Sequence, residues 1–103
     1  MLEVFTTVGK DQKVLGLVGE LDIETVDNFK QHVEEARVDL SCLVLDMSAL
    51  SFVDSTGVGG LLNVVRSLTN DNISVKVRNV SAELYEVFEL LGLPMLFGNE
   101  VFE

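Results

Sequence analysis

The sequence predicts an α/β domain built on an open, mixed β-sheet, and three observations carry that expectation. β-rich segments alternate along the chain with segments whose apolar residues recur at helical spacing, an order that joins parallel strands through right-handed helical crossovers. Residues 42–47 are almost continuously apolar, as in a parallel strand covered on both faces. The chain has 103 residues, 48% of them hydrophobic, which is enough for one domain with a real core.

Each element follows from local pattern. Residues 2–8 and 13–19 are rich in β-formers and are separated by Gly9-Lys10-Asp11-Gln12, a hairpin turn. Val26, Phe29, Val33 and Ala36 recur at helical spacing and predict a helix over about 23–37, with Asp22 as its N-cap. The apolar strand 42–47 follows, then a short loop. A second helix is expected over about 56–69, with Val58, Leu61, Leu62, Val65 and Leu68 on its apolar face and Asn70-Asp71-Asn72 ending it. Residues 73–78 alternate, Ile73, Val75 and Val77 against Ser74, Lys76 and Arg78, so this strand should be half-exposed. Ser81 caps a third helix running through Leu91, with Glu83 in its first turn, Gly92 as the C′ residue and Pro94 blocking continuation. A short strand near 95–102 could close the chain. The order is β-β-α-β-α-β-α, with four to five strands.

The most informative stretch is Asp54-Ser55-Thr56-Gly57, between the apolar strand and the second helix. With Asp54 at the N-cap, Ser55 falls at N1, Thr56 at N2 and Gly57 at N3. Capping is the commonest job of Asp and Ser in such a place. Unpaired N–H groups and the helix dipole also favour an added phosphate there. Ser55 therefore reads as a switch serine rather than a catalytic one. Gly57, Gly59 and Gly60 fall in the first two turns, and each interior glycine costs about 1 kcal/mol relative to alanine. Two readings offset that cost: close packing on a neighbouring element, or a bare surface that admits another protein's backbone. On the second reading, Gly59, Gly60, Asn63, Arg66 and Ser67 lie opposite the apolar face and form a docking surface centred on Ser55.

Charge narrows the partners. Seven basic residues stand against 17 acidic ones, a net charge of −10. That argues against nucleic acid, whose phosphates need Lys and Arg, and against an anionic membrane surface. Apolar runs stop well short of the roughly 18 residues of a membrane span, and no signal-peptide pattern is present. Cys42, the single cysteine, lies in an apolar run and is expected to be a buried, inert thiol, so a cytoplasmic setting is the default.

Enzymatic readings find no support. A dimeric aspartic protease needs an Asp-Ser-Gly or Asp-Thr-Gly triplet in a β-loop, whereas here Thr56 intervenes before Gly57 and helical periodicity follows. The only histidine, His32, sits on the first predicted helix, and there is no G-x-S-x-G elbow. Gly57-x-Gly59-Gly60 lacks the lysine and spacing of a phosphate-binding loop. One Cys and one His leave no metal-ligand pattern. No enzymatic activity, metal or cofactor is expected.

The run Leu50-Ser51-Phe52-Val53-Asp54-Ser55-Thr56-Gly57-Val58-Gly59-Gly60-Leu61-Leu62 resembles the phosphorylation loop of STAS domains, and more narrowly that of bacterial anti-sigma factor antagonists. Gly19-Glu20-Leu21-Asp22 resembles the family's other recognisable stretch, and Leu90-Leu91-Gly92-Leu93 its terminal helix. The resemblance covers nearly the whole chain. It implies a single STAS domain over 1–103, with helices packed mainly on one face of a four- to five-stranded mixed sheet. It implies that Ser55 is phosphorylated by a serine-kinase anti-sigma factor, with Thr56 the second choice. The unphosphorylated form would bind that kinase and release the sigma factor, and a PP2C-type phosphatase would reset it. Asp22 and Asp54 would flank the serine in a partner site that also takes in Thr56, Gly57, Gly59, Gly60 and Asn63. A monomer is expected. The alternative within the family is a scaffold subunit, never phosphorylated, of a stressosome, transporter or lipid-transport complex.

Overall fold

The computed structural model describes residues 1–97 and 101–103. Strands β1 (Leu2–Val8), β2 (Gln12–Leu21), β3 (Cys42–Val53) and β4 (Ser74–Arg78) form one sheet in that spatial order. The β1–β2 pair is an antiparallel hairpin. Helix α1 (Val26–Ala36) links β2 to its parallel neighbour β3, and α2 (Ser55–Asn70) links β3 to parallel β4. Helices α3 (Ala82–Leu90) and α4 (Leu93–Phe97) complete the fold.

One apolar cluster holds these elements together. It joins Leu15 and Leu17 of β2, Leu43, Leu45 and Met47 of β3, and Val75 and Val77 of β4. Helices supply Phe29 and Val33, Leu61, Val65 and Leu68, and Leu84 and Phe88 to the same cluster. Val44, on the opposite face of β3, is buried but lies outside that cluster. The helices thus cover one face of the sheet, and the other carries exposed Phe5, opposite Gly16.

The pattern-based expectations hold best where periodicity is strongest. All four apolar positions expected on α1 are buried, as are Ile73, Val75 and Val77. On α2, Leu62 is only half-buried, and Val64 takes an inward place instead. Cys42 is half-buried rather than buried, because it opens β3 at the sheet's end. Gly92 has the left-handed φ of 77° that a C′ residue needs, and Ser81 caps α3 by accepting from Leu84 N–H. The expected strand near 95–102 is a correction. Leu93–Phe97 forms α4, since proline is tolerated in a first helical turn, and Phe102 makes a single parallel bridge to Val77. Residues 98–100 lie outside the described residues.

The short loop expected after residue 47 is also corrected: β3 runs on to Val53. Two register shifts against β2 each put one extra residue into β3, between Asp46 and Ala49 and between Leu50 and Phe52. Buried residues therefore recur at Met47, Leu50 and Val53, three apart instead of two. That spacing, with Ser48 and Ser51 between, hides the strand from a period-two reading. Gly19, at the second shift, lets β2 pass close to the start of β1, with φ 112° and the Met1 carbonyl 2.3 Å from where a Cβ would stand.

Two polar clusters brace this frame. Arg37, the C-cap residue of α1, donates to Glu34 Oε1 at 2.9 Å, to Ser67 Oγ at 2.8 Å, to the Ser67 carbonyl at 3.3 Å and to the Asp71 carboxylate. It ties the end of α1 to the end of α2. Arg37→Ala is expected to lower unfolding free energy by about 1–2 kcal/mol, with Arg37→Lys recovering only part, since an ammonium lacks the fork. Urea titration of both variants checks this.

Asp46 Oδ1 accepts from Ser48 N–H at 2.9 Å and from Asn79 Nδ2 at 3.2 Å. The Ser48 bond foremost, then Asn79 and nearby Arg78, hold its carboxyl below the ordinary 3.8, against partial burial. A lowered folded-state value means stability that is present above pH about 4 and lost as pH falls through the folded value. Asp46→Asn should therefore be less stable than wild type at neutral pH. The gap should close on acidification below about pH 4, as melting curves across that window would register.

Candidate partner-recognition site

The carboxyl ends of the parallel strands β2 and β3 meet at Leu21 and Val53, which are register partners. Beyond them the chain turns twice, at Asp22–Thr25 into α1 and at Asp54 into α2. Both turns are built by carboxylates. Asp54 has extended backbone, with φ −100° and ψ −178°, and caps α2 by accepting from Gly57 N–H at 2.7 Å. Its other oxygen accepts from Ile23 N–H at 3.1 Å, and its own N–H donates to the Leu21 carbonyl at 3.3 Å. The two turns are thereby joined.

Asp22 is not the N-cap of α1, which corrects the sequence reading. Thr25 holds that position, without a side-chain cap bond, and the helix begins at Val26. Asp22 Oδ1 instead accepts from the N–H groups of Glu24 at 3.0 Å and Thr25 at 3.1 Å. Thr25 Oγ1 donates to the Glu20 carbonyl at 2.8 Å and accepts from Asp22 N–H at 2.9 Å. The carboxylate builds a tight turn ahead of the helix, as Asp does when its side chain competes for nearby N–H groups.

Ser55 is the first residue of α2 and is exposed, as is Thr56. Their N–H groups have no acceptor among the described residues, so the start of α2 offers two free donors beside the hydroxyl. Gly59 and Asn63 follow Ser55 at four-residue steps along one face of the helix. A Cβ on Gly59 would meet nothing within 4 Å, and Asn63 is exposed.

The other two glycines behave differently. Gly57 is buried against the end of β2, and a Cβ there would sit 2.2 Å from the Leu21 carbonyl. Gly60 is buried against α1, where a Cβ would sit 2.2 Å from Val26 Cγ2. Gly60 therefore drops out of the exposed surface expected from the sequence, and close packing accounts for Gly57 and Gly60. Only Gly59 of the three leaves the helix surface bare. The structure thus brings Asp22, Asp54, Ser55 and Thr56 to one end of the sheet, with Gly59 and Asn63 following along the exposed face of α2 and Gly57 and Gly60 packed beneath. Sequence reasoning missed Ile23, whose N–H joins the two turns. Its signal was an isoleucine at the tip of a turn otherwise made of Asp, Glu and Thr.

Among the described residues there is no cluster of His, Cys, Asp or Glu suited to a metal ion, and His32 Nδ1 is engaged 2.9 Å from the Asn28 carbonyl of its own helix. No helix among the described residues is long and apolar enough to cross a membrane.

Fold and site together define a small α/β module that presents an exposed serine at a helix N-terminus. The STAS domain family model matches residues 4–103, and the chain belongs to that family. An anti-sigma-B factor antagonist of Staphylococcus aureus is 28% identical over 88 residues, covering 81% of this chain and 82% of the relative. The structure of the anti-sigma factor antagonist SpoIIAA in its unphosphorylated form aligns with TM-score 0.68 at 26% identity, over 87% of this chain and 83% of that one. The phosphorylated form of SpoIIAA, a Bacillus cell fate determinant, aligns with TM-score 0.71 at 25% identity, over 100% of this chain and 89% of that one.

Proposed function

We propose that this protein is an anti-sigma factor antagonist working as a phosphorylation switch. Unphosphorylated, it binds a serine-kinase anti-sigma factor and frees the sigma factor. Phosphate on Ser55 ends that binding, and a PP2C-type phosphatase removes it. The protein is then a cytoplasmic regulator, monomeric between encounters, and not itself an enzyme. The observation that carries this reading is the exposed Ser55 hydroxyl at the first position of α2, beside the Asp54 cap. Relatives named as anti-sigma factor antagonists support it, one of them known in both phosphorylation states.

The chemistry is consistent with a switch that leaves the fold intact. A phosphate adds about −1.5 to −2 charge at neutral pH. The free N–H groups and dipole of α2 favour that charge, while Asp54 and the net charge of −10 oppose it. The folded state can hold both forms, so the change falls on the partner surface. Incubation with the kinase and ATP, followed by peptide mass spectrometry, tests the assignment. Phosphate on Ser55 is expected; phosphate elsewhere, with Ser55 unmodified, rejects it.

A further inference from the structure

We propose that Ile23 is the apolar anchor by which this site grips its kinase partner, seated in an apolar socket rimmed by basic side chains. The proposal rests on the antagonist reading above and names the contact that reading leaves open. Ile23 stands at the tip of the Asp22–Thr25 turn with 70% of its surface exposed. Asp22, Glu24 and Thr25 all hydrogen-bond within this turn, and Ile23 adds only its N–H, to Asp54 Oδ2. The fold thus uses the backbone of residue 23 and makes no use of its side chain. Turns of this kind favour small polar residues, so a large β-branched side chain here is unexplained by folding.

The same bonds make the position rigid. The turn is closed by Asp22 and Thr25 and tied to the cap of α2 by Asp54. A pre-ordered apolar side chain loses little freedom on docking, which is what distinguishes an anchor from a scattered surface residue. Phe52, 49% exposed, pairs with Glu20 just before both turns. The surroundings fix the chemistry of the occupant. Asp22 and Glu24 flank Ile23 along the chain and Asp54 accepts its N–H, so the complementary surface is apolar at its centre and basic at its edge. Because Asp54 bonds to Ile23 and directly precedes Ser55, the anchor is continuous with the phosphorylated position.

The test measures affinity by calorimetry for each serine-kinase anti-sigma factor encoded in the source genome, using wild type, Ile23→Ala and Val38→Ala. Val38 is 66% exposed beyond the far end of α1 and controls for apolar exposure alone. Ile23→Ala should melt with wild type and bind at least about tenfold more weakly, while Val38→Ala binds as wild type. Equal affinity of Ile23→Ala and wild type overturns the anchor and leaves the antagonist reading standing, as does an equal loss in both variants. If wild type binds none of these kinases, the antagonist reading fails and takes the anchor with it. A wild-type dimer in sedimentation that Ile23→Ala splits would make a second copy of the chain the occupant and overturn the kinase assignment.

Discussion

Gly57→Ala is expected to destabilise the protein by about 3 kcal/mol, near the upper end of overpacking costs, and to lower the melting temperature by more than about 10 °C. The added methyl would stand 2.2 Å from the Leu21 carbonyl oxygen, which is backbone and cannot rotate away. That carbonyl also accepts from Asp54 N–H, so relief means parting α2 from β2 and loosening the cap. Gly59→Ala is the internal comparison. Its methyl meets nothing within 4 Å, so helix propensity alone acts and stability should rise by up to about 1 kcal/mol. If the binding surface includes residue 59, the same methyl weakens the partner. Calorimetric melts of the two variants decide the matter, and a Gly57→Ala protein melting with wild type would show that the helix does not lie this close to the strand.

The second large effect concerns binding. Phosphorylated protein should bind the kinase at least about 100-fold more weakly than unphosphorylated protein, since a phosphate on Ser55 occupies the space of the docked surface and must shed its hydration there. Ser55→Asp should lose at least about tenfold with its single charge, and Ser55→Ala should stay within about threefold of wild type because nothing charged is added. Folding should barely change in any of these. Ser55 is exposed, its side chain caps nothing, and Asp54 supplies the cap. Titration calorimetry against the kinase, with melts alongside, separates the two effects. Equal affinity of the phosphorylated and unphosphorylated forms would remove Ser55 from the switch.

The readable parts of the sequence were those where one local rule acted alone. Phe29, Val33 and Ala36 follow a helical stripe, and Val75 and Val77 a strand alternation, so burial could be read from spacing. Asp54 and Ser81 were readable as caps because each is followed by a helical run needing a donor satisfied. Misreadings arose where a distant neighbour set the outcome. Asp22 resembles a helix cap locally, yet its oxygen is engaged by a turn that Thr25 and Glu20 complete. The last residues of β3 resemble loop because two bulges shift the inward positions, and only pairing with β2 shows it. Gly57, Gly59 and Gly60 look alike in sequence but face the Leu21 carbonyl, open solvent and Val26 respectively.

What the sequence determined by itself was the order of elements as far as α3, the apolar faces of α1 and β4, and the place of Ser55 at the head of α2. All of these follow from bonds and periodicities within a few residues of one another. The tertiary structure alone decided that the turn carrying Ile23 is fastened to Asp54, 31 residues further along, and which glycines are packed rather than bare. Such facts depend on where two strand ends and a helix start meet in space, and no local spacing encodes that meeting.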